Sequence, residues 1–424
     1  MNVSIIGAGY VGLVTAAGLS NLGHTVRLGE ADAGRVALLE AGEVPIFEAG
    51  LPELLESAVG KGLISFHGSN AEAIQGSDLV FLCLPTPERP DGRADLQYVE
   101  SVVDELANVV PDDTLLVIKS TVPPGTVSSL RKRLADLGSG ARVVSHPEFL
   151  REGRAVQDFM APDRIVVGSW DSDDADRVAA LYESLDTHVI RTDPTSAEMI
   201  KYASNSYLAA RLTFVNTLAN VCEAVGADVM DVIDGLGSDH RIGPHFLQPG
   251  PGYGGSCFPK DTSALIAVAE DAGYDFQLLR AVIEADDEQR RRVAAKVRLA
   301  AGGGLRGRRV AMWGIAFKAG TDDVRESPAL RIAALLQEEG AEVVAYDPEA
   351  SSDAVTNAAS ALDAVEAADV LLVSTEWPEF TSVDMREVGT RMRGHRVVDA
   401  RNLLDPKRVR EAGLDYWGLG RPGA

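Results

Sequence analysis

A glycine-rich turn near the N-terminus constrains the fold of this chain more than any other feature. An apolar run at residues 3–6 precedes it, and an apolar segment at residues 13–22 follows it. Within the turn, Gly7, Gly9 and Gly12 have the G-x-G-x-x-G spacing. A tight strand-to-helix turn of this kind is typical of the first βαβ unit of a doubly wound sheet. The sequence therefore predicts a parallel α/β domain at the start of the chain.

The same plan recurs near the C-terminus. Residues 309–314 resemble the first strand and turn, and residues 340–347 repeat the seven-residue spacing between Gly23 and Glu30. Residues 369–374 likewise mirror residues 78–83. Further buried strands are predicted at residues 25–28, 78–84, 114–118, 142–144 and 164–167. We therefore expect two Rossmann-like, doubly wound domains that flank a different central segment.

The central segment is predicted to be helical. Residues 196–236 are apolar-periodic and free of proline, and residues 262–301 are similar, whereas residues 235–261 are rich in glycine and proline. This pattern favours a helix, a functional loop and a second helix. Because a long helix between two domains often forms a dimer interface, we expect a homodimer. The predicted domains are 1–195 (first doubly wound domain), 196–301 (central helical domain) and 302–424 (second doubly wound domain).

Charge and cysteine content exclude several classes of protein. A formal net charge of -23 argues against the basic surface of a nucleic-acid binder. Three widely spaced cysteines, Cys83, Cys222 and Cys257, offer neither a disulfide framework nor the spacing of a metal site. The uncharged N-terminus has no basic segment before it and is interrupted by polar residues. We therefore expect a soluble cytoplasmic protein without a metal and without a membrane partner.

The first turn predicts a dinucleotide site. Gly7 permits the tight turn, Gly9 lets a pyrophosphate approach the backbone, and Gly12 allows close helix packing. Glu30 ends the second strand, where its carboxylate can accept hydrogen bonds from the adenosine ribose. The same charge would repel a 2′-phosphate, so NAD is expected rather than NADP. In the alternative interpretation, the glycines serve only packing.

A second glycine-rich segment, residues 250–261, presents the candidate nucleophile. Its glycines allow a ligand to approach, and Lys260 can favour the thiolate of Cys257. Cys83 and Cys222 lie in a predicted strand and helix, where a cysteine packs as a small hydrophobe. Lys201 and Asn205 are four residues apart and therefore share one face of a helix. An isolated lysine there would be a solvated surface residue.

The sequence resembles the UDP-glucose/GDP-mannose dehydrogenase family over nearly its whole length. The matching blocks are residues 7–12, 119–126, 147–153, 201–205, 250–261 and 317–328. The resemblance implies oxidation of a nucleotide sugar's primary alcohol to a carboxylate. Because this removes four electrons, two NAD molecules are reduced for each sugar.

The resemblance also implies residue roles in the reaction. Cys257 is the nucleophile and forms first a thiohemiacetal and then a thioester. Lys201 and Asn205 hold the reacting oxygen or its bound water, and Asp261 assists proton transfer. Thr121 and Glu148 organise the base and the hydrolytic water. On structural grounds alone, Thr121 would cap a turn.

Two binding sets follow from the same resemblance. The implied cofactor-binding residues are Gly7, Gly9, Tyr10, Val11, Gly12, Glu30, Arg35, Pro85, Thr86, Thr121, Glu152, Lys260 and Arg325. The implied substrate-binding residues are Glu148, Phe149, Leu150, Lys201, Asn205, Arg241, Phe246, Tyr253, Gly254, Cys257, Phe317, Lys318 and Arg401. Arg241 is expected to reach the substrate of a neighbouring subunit. The second sheet domain lacks G-x-G-x-x-G, and its cations suit a substrate diphosphate instead.

Alternatives remain open for the substrate and for the chemistry. Residues 257–261 resemble the UDP-glucose branch of the family, which implies UDP-glucose as the substrate; GDP-mannose, a dTDP-sugar or a UDP-N-acetylhexosamine are the alternatives. A simple two-electron dehydrogenase would need Lys201 but no thiol, and a sensor without activity would have lost Cys257. His146 stands where the family pattern leads us to expect asparagine. Its titration could add a pH dependence near neutrality.

Overall fold

The computed structural model describes residues 1–422, so the last two residues of the predicted third domain lie outside the described residues. The chain forms two compact units. Unit 1 consists of Met1–Ser204 and Ser263–Ala272, and unit 2 consists of Asn205–Thr262 and the chain from Gly273 onward. Each unit contains one open sheet, as the α/β prediction requires.

Unit 1 contains an eight-stranded sheet in the order β3-β2-β1-β4-β5-β6-β7-β8. All neighbouring strands are parallel except β6 and β7, which are antiparallel. The strands are β1 Asn2–Ile6, β2 Thr25–Gly29, β3 Ile64–His67, β4 Leu79–Leu82, β5 Leu115–Ile118, β6 Arg142–Ser145, β7 Ile165–Gly168 and β8 Val189–Thr192. Its helices are α1 Tyr10–Asn21, α2 Ala33–Glu40, α3 Leu51–Gly60, α4 Asn70–Ala73, α5 Gln97–Ala107, α6 Thr126–Asp136, α7 Ala155–Met160 and α8 Ser172–Ala179.

The central strands of this sheet are apolar on both faces, because helices cover both faces of a parallel sheet. Every residue of β4 and β5 is buried. One face packs in a cluster with Leu13 and Phe81, and the other packs with Val99 and Leu130. The candidate strands of the sequence analysis are confirmed, with ends that shift by one or two residues.

Unit 2 contains a six-stranded parallel sheet in the order β11-β10-β9-β12-β13-β14. The strands are β9 Arg309–Trp313, β10 Glu342–Tyr346, β11 Thr356–Asn357, β12 Val370–Val373, β13 Arg396–Asp399 and β14 Asp415–Gly418. Its order reproduces that of the first six strands of unit 1. The predicted repeat of two Rossmann-like domains is therefore confirmed.

Long helices join the two sheet domains along the chain. The remaining helices are α9 Pro194–Val225, α10 Val229–Gly237, α11 Phe258–Asp271, α12 Gln277–Ala300, α13 Pro328–Glu338, α14 Ala361–Ala364, α15 Met385–Arg391 and α16 Pro406–Glu411. The prediction of one helix over residues 196–236 is wrong. Gly226 has a φ of 79°, and the Asp228 side chain accepts a hydrogen bond from the Met230 amide at 2.9 Å, so a new helix begins there.

The glycine-rich segment is also shorter than predicted. It begins after α10 and ends where α11 begins at Phe258. Lys260 and Asp261 therefore lie in the first turn of a helix and not in a loop. Gly273, with a φ of 77°, separates α11 from α12, so the predicted helix over residues 262–301 is two helices.

Within residues 1–422, no helix combines the length and the apolar character needed to cross a bilayer.

Candidate active site

The turn after β1 is tightly packed at Gly7 and Gly12 and open at Gly9. Gly7 has a φ of 100°, and its amide donates to the Gly29 carbonyl at 2.8 Å. A Cβ at Gly12 would overlap the Gly7 carbonyl oxygen, so only glycine fits there. A Cβ at Gly9, the N-cap of α1, would meet no atom within 4 Å. The backbone is thus held tightly, and the space beside Gly9 at the start of α1 is open, as an anion-binding helix start requires.

Glu30 lies directly after β2, beside this turn. Its carboxylate accepts hydrogen bonds from the amides of Ala8 and Asp32, each at 2.9 Å. The Arg35 guanidinium lies 3.9 Å from the Glu30 carboxylate and donates to the Ala8 carbonyl at 3.2 Å. A carboxylate accepts about four hydrogen bonds, so Glu30 is oriented by two amides and retains acceptor capacity for a ligand.

Tyr10 connects the turn to the segment that carries Glu152. Its hydroxyl donates to Glu48, a buried carboxylate that the sequence analysis missed. Glu48 also accepts the amides of Gly153 at 2.7 Å and Ala155 at 2.8 Å, and so caps the short helix α7 from a distance. No local pattern marks Glu48, because the two backbone amides that it accepts lie more than a hundred residues away in the chain.

The loops after β4 and β5 are bound to each other. The Thr86 hydroxyl donates to the Thr121 carbonyl at 2.8 Å. The Ser120 hydroxyl donates to the Leu84 carbonyl at 2.7 Å and accepts the Leu84 amide at 2.8 Å. The structure therefore brings together two predicted cofactor residues, Thr86 and Thr121, and adds Ser120 as their support. Pro85 lies between these contacts in the same loop.

Lys201 and Glu148 form a buried ion pair. The Lys201 Nζ lies 2.8 Å from the Glu148 Oε1, and the two side chains are 4 % and 6 % exposed. Burial raises the pKa of Glu148, but the charge and the hydrogen bond of Lys201 outweigh it, so the pKa of Glu148 lies below its usual value. The other Glu148 oxygen accepts the Leu150 amide at 2.5 Å. Both charges are thus fixed in a site with little water.

Phe149 lies against two cations of the same unit. The Arg164 guanidinium carbon is 3.8 Å from the centre of the Phe149 ring, and the Lys201 Nζ is 5.4 Å from it. Arg164 also donates to the Ser204 hydroxyl at 3.4 Å. These contacts hold the ring beside the buried ion pair through cation–π attraction.

His146 does not titrate near neutrality, which corrects the expectation above. It is 3 % exposed, its Nδ1 lies 2.8 Å from the Val166 carbonyl, and its Nε2 lies 2.8 Å from the Tyr182 hydroxyl. Burial, and then the nearby Lys119, lower its pKa well below the usual value. With Nδ1 as the donor, the neutral ring acts as a donor and an acceptor, which is the hydrogen-bonding role of an asparagine side chain.

In unit 2, buried polar groups hold the glycine-rich segment. The Gly250 amide donates to the Asn216 side chain at 2.8 Å, and the Gly250 carbonyl accepts from Gln289 at 2.9 Å. The Tyr253 amide donates to Asp286 at 2.9 Å. Burial raises the pKa of Asp286 to about 6. The sequence analysis missed Asp286 and Gln289, although polar residues three apart on the inner face of a helix are a detectable signal.

The glycines of this segment are needed because other chain segments approach closely. A Cβ at Gly254 would overlap the Glu326 carbonyl oxygen, and one at Gly255 would lie 2.8 Å from the Phe317 ring. The Gly255 amide donates to the Arg325 carbonyl at 3.0 Å. Predicted residues from two distant blocks of sequence are therefore in contact within one unit.

Cys257 lies at the end of this segment, immediately before α11, and is partly exposed. Its Sγ is 3.6 Å from the Ser256 hydroxyl. Asp261, which is fully buried, accepts from the Asn205 amide group at 2.6 Å and from the Lys260 ammonium at 2.6 Å. A partly exposed cysteine thus precedes a helix start that favours an anion, with a fixed carboxylate one turn further on.

The remaining predicted cations have defined partners. Arg401 donates to the carbonyls of Phe317 and Ser374, each at 3.0 Å, and so fixes the backbone at the predicted pocket. The Lys318 Nζ lies 5.4 Å from the centre of the Phe317 ring. Arg325 and Arg241 are largely exposed, and each forms an ion pair with the aspartate two residues earlier. Phe246 lies near Arg241 in the chain and has a φ of 57°.

These features define a class of enzyme before any comparison. Unit 1 has an open dinucleotide turn and a buried lysine–glutamate pair. Unit 2 has a partly exposed cysteine that is followed one helical turn later by a fixed carboxylate. In residues 1–422, no three His, Cys, Asp or Glu side chains are arranged to hold a metal ion. This set of groups is typical of a nucleotide-dependent dehydrogenase.

Comparison with known proteins identifies the family. Models of the UDP-glucose/GDP-mannose dehydrogenase family match the chain in three parts: its NAD binding domain at residues 1–186, its central domain at 195–288 and its UDP binding domain at 311–406. The chain belongs to the UDP-glucose/GDP-mannose dehydrogenase family. It is accordingly an NAD-dependent oxidoreductase.

Full-length relatives support this assignment. The UDP-glucose 6-dehydrogenase of Rhizobium meliloti is 42 % identical, with 100 % of both chains covered. That of Pseudomonas aeruginosa is also 42 % identical and covers 100 % of this chain and 98 % of its own. The solved structure of a UDP-glucose dehydrogenase from Pyrobaculum islandicum is 38 % identical, with a TM-score of 0.91 over 99 % of this chain and 98 % of the other.

The residues of unit 1 fit NAD. The open space above Gly9, the amides that begin α1 and the acceptor capacity of Glu30 match a pyrophosphate and a ribose. The negative charge of Glu30 disfavours a 2′-phosphate at that place.

Proposed function

We propose that this chain oxidises the primary alcohol at C6 of UDP-glucose to the carboxylate, with two NAD molecules reduced for each sugar. The observation that carries this proposal is the accessible Cys257, which is followed one helical turn later by the fixed Asp261 carboxylate. The relatives named UDP-glucose 6-dehydrogenase support the choice of sugar and nucleotide.

NAD supplies the hydride acceptor in each of the two oxidations. In the first oxidation, the alcohol loses a proton from oxygen and a hydride from carbon and becomes an aldehyde. Lys201, charged and held by Glu148, donates a hydrogen bond to the oxygen as negative charge develops on it. A fixed donor of this kind contributes about 3 kcal/mol to the stability of a developing oxyanion.

Cys257 retains the aldehyde. Its thiolate adds to the carbonyl carbon, and the carbonyl oxygen takes up a proton to give a thiohemiacetal. Loss of that proton and of a second hydride gives a thioester. Water then adds to the thioester carbon, the C–S bond breaks, and the acid and the free thiol are released. Asp261, oriented by Asn205 and Lys260, carries protons in these steps, and Thr121 and Glu148 orient the water.

The binding roles rest on the family resemblance and on local contacts. The cofactor is supported by the loops after β4 and β5 and by six further residues: Tyr10, Val11, Arg35, Glu152, Lys260 and Arg325. Leu150 and Phe149 follow Glu148 at the end of β6 and face the sugar. Tyr253, Gly254, Phe246, Phe317 and Lys318 line the nucleotide pocket, whose backbone Arg401 fixes.

The proposed assembly is a homodimer formed through α9. Tyr207, Phe214 and Val221 are spaced by seven residues, which puts them along one stripe of the helix, and they are 65 %, 58 % and 52 % exposed. A second copy of the chain covers this stripe and places Arg241 at its partner's substrate. Sedimentation equilibrium checks this proposal, and a monomer at micromolar concentration contradicts it.

The proposed compartment is the cytoplasm. Cys83 and Cys222 are buried and form no disulfide. The proposed mechanism needs Cys257 in the reduced state, which a reducing compartment maintains.

The test is the number of NADH molecules formed per sugar consumed. Purified enzyme is given UDP-glucose beside GDP-mannose, dTDP-glucose and UDP-N-acetylglucosamine. The variants are Cys257→Ser and, as a matched control, Cys222→Ser, whose thiol is buried in α9. We expect two NADH per UDP-glucose for the wild type and the control, and a loss of turnover of about a thousandfold or more for Cys257→Ser.

Each outcome has one meaning. One NADH per sugar, or full turnover by Cys257→Ser, contradicts the covalent four-electron route and favours a two-electron dehydrogenase. Absence of turnover with every sugar favours a sensor. A clear preference for another sugar changes the substrate and leaves the mechanism in place.

A further inference from the structure

Glu198 links the helix of Lys201 to the loop of Thr121. It lies on α9, one turn before Lys201, and is 2 % exposed. Its two carboxylate oxygens accept the amides of Gly125 at 2.6 Å and Val127 at 2.7 Å. These amides belong to the N-cap and the first turn of α6, and the N-cap is a glycine with no side chain to cap the helix. A distant helix thus supplies the missing cap.

The segment between β5 and α6 is consequently fixed at both ends. At its start, the Ser120 hydroxyl accepts the Leu84 amide in the loop after β4. The Thr86 hydroxyl of that same loop donates to the Thr121 carbonyl. At its end, Glu198 holds Gly125 and Val127. Thr121 lies between the two attachments, so its position relative to α9 depends on Glu198.

The same two turns of α9 hold a second strand-end loop. Three residues after Glu198, Lys201 binds Glu148 in the loop that follows β6. Residues three apart share one face of a helix. Glu198 and Lys201 therefore bind two neighbouring loops of unit 1 to one rigid element, and a rotation or shift of α9 would move both contacts together.

We propose that Glu198 is a positioning residue for the reaction: it sets the place of Thr121 relative to Lys201 and thereby serves the hydrolytic step. This inference rests on the proposed function, in which Thr121 helps to orient the water that attacks the thioester. Glu198 holds two backbone amides, and the proposal assigns it no contact with substrate or cofactor.

The electrostatics of the contact make the test practical. Burial raises the pKa of Glu198 to about 7, while the amides of Val127 and Gly125 lower it and the charge of Asp193 raises it further. Because the protonated form is readily accessible, the neutral variant Glu198→Gln is expected to fold. Its amide group offers one oxygen acceptor where the carboxylate offers two, so one of the two backbone amides loses its partner.

The experiment follows NADH formation before and during the steady state, with UDP-glucose as the substrate. The variants are Glu198→Gln, Thr121→Val, their double mutant and a control, Asp384→Asn. Asp384 caps α15 in the second sheet domain, where it accepts the Arg386 amide at 3.0 Å. The control thus removes a capping charge at a distant helix.

For Glu198→Gln we expect the initial burst of NADH to persist while the steady-state rate falls about tenfold or more, because small misplacements of catalytic groups are costly. The double mutant is expected to be no more than about twofold slower than Thr121→Val alone, because both changes affect one step. Asp384→Asn is expected to keep the steady-state rate within about twofold.

Three results would overturn the inference. The first is an unchanged steady-state rate for Glu198→Gln. The second is a burst that slows by the same factor as the steady state, which indicates a general loss of structure. The third is a double mutant in which the two losses multiply. Failure of the proposed function is distinct, because the wild type itself would then form fewer than two NADH per UDP-glucose.

Discussion

The two Rossmann-like sheets have the same turn after the first strand, but they differ in which polar groups near that turn can still bind a ligand. In each, a glycine with positive φ follows the first strand, Gly7 at 100° and Gly314 at 91°. In each, its amide donates at 2.8 Å to the end of the neighbouring strand, at Gly29 and Tyr346. In each, a Cβ on that glycine would clash with a residue that follows the adjacent parallel strand, Cys83 after β4 and Thr375 after β12. The local geometry has therefore been kept in both domains.

The two domains differ in the hydrogen bonds of the acidic residue that follows the second strand. Glu30 accepts two backbone amides and keeps acceptor capacity. Asp347 accepts five donors: the amides of Ile315, Ala316, Glu349 and Ala350 and the indole of Trp377. Since a carboxylate accepts about four hydrogen bonds, Asp347 is saturated by its own domain. The comparison teaches that the same acidic position can serve a ligand or the fold.

The two domains also differ in how soon a helix begins after the turn. In unit 1, α1 begins at Tyr10, three residues after Gly7. In unit 2, α13 begins at Pro328, fourteen residues after Gly314, and the intervening segment carries Phe317 and Lys318. The first turn offers helix amides to an anion, whereas the second offers side chains.

The largest effect is expected at the first turn itself. Gly12→Ala puts a Cβ into the Gly7 carbonyl, where only the backbone can give way. We expect it to lower the free energy of unfolding by about 3 kcal/mol or more. Gly9→Ala meets no protein atom, so it should leave thermal stability unchanged and weaken NAD binding about tenfold. Calorimetry and NAD titration of both variants check this pair, and equal stability of the two would contradict it.

An intermediate effect is expected at the two carboxylates. Glu30→Gln should weaken NAD binding about tenfold and reduce the discrimination against NADP, because a charge-assisted acceptor is lost. Asp347→Asn should lower the free energy of unfolding by about 2 kcal/mol with the KM for NAD unchanged, because buried donors lose their acceptor. Chemical denaturation and steady-state kinetics separate the two effects. A raised KM for NAD in Asp347→Asn would show that the second domain takes part in cofactor binding.

The smallest expected effect is a pH dependence of stability that arises from His146 in the sheet domain of unit 1. His146 follows β6, whereas the residue after the corresponding strand β14 is Leu419. Because the pKa of His146 is lowered by burial, the unfolded chain binds a proton below about pH 6.5 that the folded chain does not bind. Stability from this residue is therefore complete above about pH 6.5 and is lost as the pH falls, by up to about 1.4 kcal/mol per pH unit.

Denaturation of wild type and His146→Asn between about pH 5 and 7.5 measures this slope. The variant should lose its share of the acid destabilisation. His240→Asn is the matched control, since this imidazole is 94 % exposed. Equal slopes in all three proteins would contradict the assignment, and a changed rate profile near pH 7 in His146→Asn would restore the role in activity that burial argues against.

Much of the fold was predictable because it depends on local pattern. Apolar runs gave the strands, and paired glycine and acid spacings gave the two-domain repeat. The errors occurred where a single residue ends a helix. The breaks at Gly226 and Gly273 depend on single glycines with positive φ, which an apolar period does not record.

The candidate site divides in the same way. Cys257 was predicted from its residue type in a glycine-rich segment, and the roles of Lys201 and Asp261 were predicted from the family resemblance of short segments. The supports of the site were missed, because Glu48, Glu198 and Asp286 bind backbone amides in segments that are distant along the chain. Such contacts satisfy donors that only the folded chain brings near, so no local pattern announces them.

The sequence by itself determined the order of the glycines, the cysteine and the charged residues along the chain, and hence the family. The tertiary structure decided which of those groups remain available. Glu30 keeps acceptor capacity while Asp347 has none, and His146 is neutral in a buried site. The physical reason is that residue type fixes what a group can do, whereas burial and the number of hydrogen-bond partners fix whether it is available to do it.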